Sequence, residues 1–136
     1  MRLSFDAHGE FDVSLFGHDQ LPALCLALRK RLAGRRCLFV TTPTVHARYR
    51  ERFFDPLQDV HEQLLIITGG EQSKTIETAL FIADACLQAD IDRLGVIVSV
   101  GGGVCTDLSG LAASLVKRGI AHLRVPTTLV GQIDAA

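Results

Sequence analysis

What most constrains the fold is an alternation along the chain. Short, wholly apolar runs give way to longer segments whose apolar residues recur at helical spacing. Cys37-Leu38-Phe39-Val40, Leu64-Leu65-Ile66-Ile67 and the run at 94–100 read as strands covered on both faces. Leu21, Leu24, Cys25, Leu28 and Leu32 mark one apolar helix face. Ile76, Ala79, Leu80, Ala83 and Leu87 mark a second, and Val104, Leu108, Leu111, Ala112 and Leu115 a third. A turn at 41–44 should lead into a further helix over 45–54, stopped by Pro56. Residues 11–16 alternate like a half-buried strand, and 122–125 form a last strand before Pro126. Asp19 and Pro22 supply start signals for the first helix; Gly34 and Gly119 supply stops. Strands alternating with helices predict parallel βαβ units with right-handed crossovers, hence an α/β, Rossmann-like parallel-sheet domain. A chain of 136 residues holds one such domain with a real core.

Composition narrows the partners. Fourteen basic and fifteen acidic side chains leave a net charge of −1, with no electrostatic footprint for nucleic acid and no polybasic membrane patch. An anionic ligand must therefore be held by a few local groups. No apolar run approaches a membrane span, and residues 1–10 carry no apolar signal core. Cys25, Cys37, Cys86 and Cys105 each sit in an apolar stretch, and none forms a C-x-x-C pair. They read as buried, reduced thiols of a soluble cytoplasmic protein. No zinc-ligand spacing is present and the five histidines are isolated, so no metal site is expected within this sequence.

In an open parallel sheet, ligands bind beyond the carboxyl ends of the strands. The polar and glycine signals cluster there: Thr41-Thr42-Pro43-Thr44, Gly69 through Lys74, Gly101-Gly102-Gly103, and Pro126-Thr127-Thr128. Glycines let backbone approach a ligand closely, and the helix that follows offers free N–H groups to a pyrophosphate. The run is neither a G-x-G-x-x-G fingerprint nor a P-loop, and a plain tight turn is the alternative. Each charged residue also has a structural reading. Asp107 suits the first turn of a helix dipole, Glu71 and Lys74 form a solvated helix-start pair, and Thr127 and Thr128 cap a helix. Arg118 sits at a helix C-terminus, away from the crevice, where a cation is favourable without any function.

Together these residues are more specific. Gly70-Glu71-Gln72-Ser73-Lys74, then Gly101-Gly102-Gly103-Val104 with Asp107 and Gly110, Arg118-Gly119, and Pro126-Thr127-Thr128-Leu129 with Gln132 and Asp134, resemble 3-dehydroquinate synthase and related sugar phosphate cyclases, including the 2-epi-5-epi-valiolone synthases. The resemblance runs from about Thr41 to the last residue. It implies an N-terminal domain that binds NAD. Glu71 and Lys74 match a cofactor-contacting loop, Gly102, Gly103 and Val104 the pyrophosphate loop, and Asp107 a cofactor- and substrate-side carboxylate. Thr127, Thr128 and Leu129 match the loop at the nicotinamide half, and Asp134 a carboxylate at the active-site floor. Arg118 matches an arginine that reaches a substrate phosphate across a homodimer interface, where bidentate donors suit phosphate. Two departures stand out. Thr42 and Thr44 occupy positions where family members often carry Asp-x-Asn, so that hydroxyls face the adenosine end in place of a carboxylate. Cys105-Thr106 replaces the Val/Ile-Gly usual in dehydroquinate synthases. Both point to a divergent cyclase.

For a full-length enzyme the resemblance implies transient oxidation of a substrate hydroxyl by NAD, loss of phosphate, re-reduction, ring opening and an intramolecular aldol closure. The substrate would be a seven-carbon sugar phosphate. A metal such as Zn or Co would be held by a helical domain following a Gly-x-Lys segment. This sequence ends at Ala135-Ala136 and carries no H-x-x-x-H pair, so the expectation is an incomplete chain, inactive alone. Two other readings stay open: a domain of an iron-type alcohol or glycerol-phosphate dehydrogenase, and a non-catalytic nucleotide-binding module.

Overall fold

A computed structural model describes residues 17–128. The strand expected at 11–16, together with Leu129 and Asp134, lies outside them. The described elements run α1 (Leu21–Leu32), β1 (Cys37–Thr41), α2 (Pro43–Tyr49), β2 (Gln63–Ile66), α3 (Ile76–Gln88), β3 (Val96–Gly101), α4 (Gly103–Leu115) and β4 (Ala121–Pro126). The four strands form one wholly parallel sheet in the order β2-β1-β3-β4. The α/β parallel-sheet expectation is met.

Alternation along the central strands feeds two cores. Leu38, Val40 and Ile97 point to a layer shared with Ala79, Ile82, Ala83 and Cys86 of α3 and Cys105, Leu108 and Ala112 of α4. Cys37, Phe39, Val96, Val98 and Val100 point the other way. There they meet Leu21, Cys25, Leu28 and Leu32 of α1, and Phe53, Phe54 and Leu57 of the segment after α2. Helices thus cover both faces, which is why β1 and β3 are buried at every position.

The structure corrects several local expectations. Thr41 is the last residue of β1 and not part of a turn. The next helix begins at Pro43, two residues early, because proline is favoured at the first helical position and Thr42 already has extended geometry there. That helix is not continuous to residue 54: a π turn spans Arg50–Phe54, and Pro56 lies inside a following 3-10 turn, Asp55–Leu57. The run at 64–67 is only partly a buried strand. β2 starts at Gln63, Leu65 alone within it is buried, and Ile66 is exposed, since β2 edges the described sheet. β3 starts at Val96, and Leu94 is 74% exposed. Asp19 does not cap α1; it sits in a 3-10 turn, His18–Gln20, that leads into the helix.

The faces of α3 and α4 also differ from the periodic reading. Ala79, Ala83, Leu108 and Ala112 are buried as expected, but Ile76, Leu80, Leu87, Leu111 and Leu115 are exposed; besides Ile82 and Leu108 the buried sides carry mostly small residues, among them Ala85 and Cys86 on α3 and Cys105, Ser109 and Ala113 on α4. Small side chains let both helices lie close on the sheet. Gly110 is part of that contact, since a Cβ there would come within 3.2 Å of His122 Nδ1 on β4. His122 Nε2 lies 2.8 Å from the buried Ser99 hydroxyl on β3.

Two measurements test this packing. A Cβ on Gly95 would fall 2.3 Å from Ile91 Cγ2 and 3.0 Å from two backbone oxygens. Gly95→Ala is therefore expected to cost about 1–3 kcal/mol in urea unfolding, and an unchanged midpoint would contradict the packing. Burial, with Arg124 second, pushes His122 down from 6.5 to about 4. The unfolded chain takes up this proton first, so the contribution of neutral His122 is full above about pH 6.5 and is lost as pH falls toward 4. His122→Gln should flatten that part of the acid limb of stability against pH.

Candidate functional site

The chain runs from β1 outward to β2, then returns past β1 to β3 and continues to β4. Keeping one crossover hand while reversing direction sends the connection after β1 to the α1 face and those after β2 and β3 to the opposite face. The loops leaving β1 and β3 therefore diverge, and a crevice opens at the strand ends between them. An open cleft of about 470 Å³ lies there. Its walls come from all four strand ends: Thr42, Pro43, Thr44 and Val45 after β1, Gly69 and Gly70 after β2, Gly102 to Cys105 after β3, and Thr128 after β4. Its floor is stitched across the β1–β3 pair, where the Thr41 hydroxyl donates to the Val100 carbonyl at 2.8 Å. The Cys105 thiol lies 3.6 Å from the Val40 carbonyl, and burial pushes it up to about 12.

The three adjacent glycines have three different surroundings. A Cβ on Gly101 would sit 2.9 Å from Cys105 Cβ, and one on Gly102 3.2 Å from Thr128 Cγ2. Around Gly103 nothing lies within 4 Å of the position a Cβ would take, so the protein's own packing does not require glycine there. Gly103 begins α4, whose cap at Gly102 supplies no side-chain acceptor. The first N–H groups of a 13-residue helix thus border the cleft, with their partial positive charge.

Thr42, Thr44, Gly102, Gly103, Val104 and Thr128 of the sequence-based candidates line this cleft. Thr127 stands next to it, its N–H donating to the Gly101 carbonyl at 2.9 Å. Glu71 follows Gly70 directly and opens an exposed 3-10 turn, Glu71–Ser73. The Lys74 backbone N–H donates to the Glu71 carbonyl at 3.0 Å, while its side chain turns to α4. Its ammonium donates to Asp107 at 2.7 Å, and this bond is the main cause of its raised pKa. Because α4 begins at Gly103, Asp107 is its fifth residue and lies beyond the first turn, which replaces the dipole reading of this carboxylate with a specific partner. The Lys74–Asp107 pair thus ties the loop after β2 to α4. Both side chains are about half exposed, so the link orients the groups more than it stabilises the fold.

Arg118 is not brought to the cleft. It is exposed in the turn that links the far end of α4 to β4, where Lys117, Arg118 and Gly119 have φ of 47°, 69° and 104°. Left-handed geometry costs an L-residue roughly 1–2 kcal/mol, and two consecutive non-glycine residues adopt it here. Val45 belongs to the walls yet carries no sequence signal of its own, being an apolar residue placed there by the start of α2. A second groove, about 310 Å³, lies between α1 and residues 52–56. Its Arg29 is committed to Asp59 at 2.6 and 2.9 Å, and no glycine-lined backbone faces it.

The cleft suits an anionic or polyhydroxylated ligand, through glycine backbone, helix N–H groups and threonine hydroxyls. Among the described residues no group of three His, Cys, Asp or Glu side chains that could hold a metal ion converges. No described helix is long and apolar enough to cross a membrane.

The sequence model for the 3-dehydroquinate synthase N-terminal domain matches residues 64–136, more than half of the chain. The chain belongs to the 3-dehydroquinate synthase family. The dehydroquinate synthase of Agrobacterium fabrum is 36% identical over 108 residues, covering 78% of this chain and 29% of that protein. The enzyme of Rhizobium meliloti is 33% identical over 132 residues, covering 96% and 35%. Among solved structures, 2-epi-5-epi-valiolone synthase ValA of Streptomyces hygroscopicus subsp. jinggangensis, with NAD+ and Zn2+ bound, superposes with a TM-score of 0.82 at 34% identity. It matches 99% of this chain and 37% of its own. The chain spans about a third of the length of these dehydroquinate synthase relatives.

The glycines give a sharp test within this family site. Gly103→Ala should leave thermal stability unchanged or raise it by about 0.4–1 kcal/mol, by restricting the unfolded chain. Gly101→Ala should lower it, because its Cβ meets Cys105. Equal losses at both positions would contradict the open space at Gly103.

Proposed function

We propose that the cleft holds the dinucleotide NAD, and that this chain is the nucleotide-binding part of a sugar phosphate cyclase acting on a seven-carbon sugar phosphate. The observation that carries the reading is the open space at Gly103, at the start of a long helix and facing a cleft built from four strand ends. Family membership and the NAD+ in ValA support it, and they support the cyclase over a dehydrogenase or a non-catalytic module.

NAD would supply reversible hydride acceptance, and the chain's residues would bind and orient it. Gly102, Gly103 and Val104 would take the pyrophosphate on backbone N–H groups. Thr42, Thr44, Glu71 and Lys74 would face the adenosine end, and Asp107, Thr127, Thr128 and Leu129 the nicotinamide half. Asp107, held by Lys74, presents a carboxylate to ribose or substrate hydroxyls. Asp134 would lie at the active-site floor. Arg118, exposed at the opposite end of the sheet, would bind the phosphate of substrate in a second copy, making the protein a homodimer. A divalent metal, Zn or Co, would be held by residues other than those described. The protein is read as cytoplasmic.

Isothermal titration tests the nucleotide site. The chain should bind NAD, and Gly103→Val, whose Cβ would enter space that no other part of the fold fills, should weaken binding at least about tenfold. Binding of ATP with none of NAD would overturn the reading.

A further inference from the structure

We infer that Lys117 is a second binding group for the substrate phosphate, presented beside Arg118 by a turn whose backbone is held left-handed. The inference rests on the reading above, in which Arg118 serves the phosphate site of a second copy. It adds a residue to that site and a reason for the shape of the turn. The Gly119 N–H donates to the Val116 carbonyl at 2.7 Å. This bond closes a tight turn with Lys117 and Arg118 as its central pair, at φ of 47° and 69°. Positive φ at both central positions is the type I′ arrangement, which asparagine, aspartate and glycine normally fill.

The residues in this turn run against local preference. Otherwise among the described residues, φ is positive only at Gly34, Gly70, Gly119 and Asp90, types that tolerate left-handed backbone. Packing does not account for Lys117 and Arg118 either. Both are exposed, and among the described residues neither makes an ion pair or a side-chain hydrogen bond. Arg29, Arg36, Arg50 and Lys74, by contrast, each have a carboxylate partner. Backbone strain kept without a return in packing is characteristic of binding sites. What the strain secures is two unpaired cations on adjacent residues at a chain reversal. A phosphate monoester carries about −1.5 to −2 charge at neutral pH. A guanidinium grips two of its oxygens in a fork but balances only one charge. An ammonium beside it, with three donors on a compact charge, supplies the other.

NMR titration of the chain with glycerol 3-phosphate, and with dimethyl phosphate as a singly charged control, tests this at the Gly119 amide. The wild type should bind the monoester more tightly than the diester. Lys117→Asn should weaken monoester binding at least about threefold, the scale of one exposed charge pair. Its melting temperature should stay level or rise, because asparagine tolerates the turn. Lys117→Arg keeps the charge and should stay within about threefold of the wild type, while Arg118→Gln should lose at least about threefold. A loss under about threefold in Lys117→Asn, beside a larger one in Arg118→Gln, would overturn this inference and leave the Arg118 reading standing. So would an equal loss in Lys117→Arg, or equal binding of the two esters by the wild type. No response of the wild-type turn to the monoester, or an undiminished one in Arg118→Gln, would overturn the Arg118 reading and this inference with it.

Discussion

The pairing of β1 with β3 is the constraint on which the rest of the molecule depends. These two strands are buried at every position, hydrogen-bonded in parallel from Cys37↔Val96 to Thr41↔Val100, and fastened at their carboxyl ends by the Thr41 hydroxyl on the Val100 carbonyl. Because β2 and β4 attach on opposite sides of this pair, the connections must cover opposite faces of the sheet. A crevice follows from that reversal without any further device. Slip the pair by one residue, and every side chain on the moved strand would exchange one core for the other.

On that frame, the triple glycine separates the needs of the fold from those of a ligand. Gly101 makes room for Cys105 beneath the cleft, and Gly102 makes room for Thr128 across it. Gly103 makes room for nothing that the protein supplies. The Lys74–Asp107 pair adds a second feature that folding does not demand: an exposed link from the loop after β2 to α4. Backbone donors, threonine hydroxyls and one oriented carboxylate converge on a site of local character, as the balanced net charge of −1 requires of anything that binds an anion here.

Much of this was legible from residues alone, for physical reasons that vary from place to place. The parallel sheet could be read because both faces of β1 and β3 are covered, leaving unbroken apolar runs. The cleft could be read because runs of adjacent glycines and threonines gather at strand ends, at 41–44, 69–70, 101–103 and 127–128. What could not be read depended on partners distant in sequence. Lys74 and Asp107 are 33 residues apart and carry no local sign of pairing. The buried faces of α3 and α4 are legible only in part: Ala79, Ala83, Leu108 and Ala112 are buried as their spacing indicates, but both helices are apolar on more than one side, and periodicity also draws in Ile76, Leu80, Leu87, Leu111 and Leu115, which are exposed. Local competition decided the rest. Pro43 starts a helix where hydroxyl residues read as a turn, and Lys117 and Arg118 take left-handed conformations that their side chains do not advertise.

Residue-resolved NMR during titration with NAD tests the central claim most directly. If loops from successive parallel strands share one dinucleotide site, the amide signals of Gly70, Gly102, Gly103 and Thr128 should shift together along a single saturation curve, with the 117–119 turn unaffected. Shifts gathered instead around Cys25, Arg29 and Arg52 in the α1 groove, or none at Gly102 and Gly103, would contradict the account.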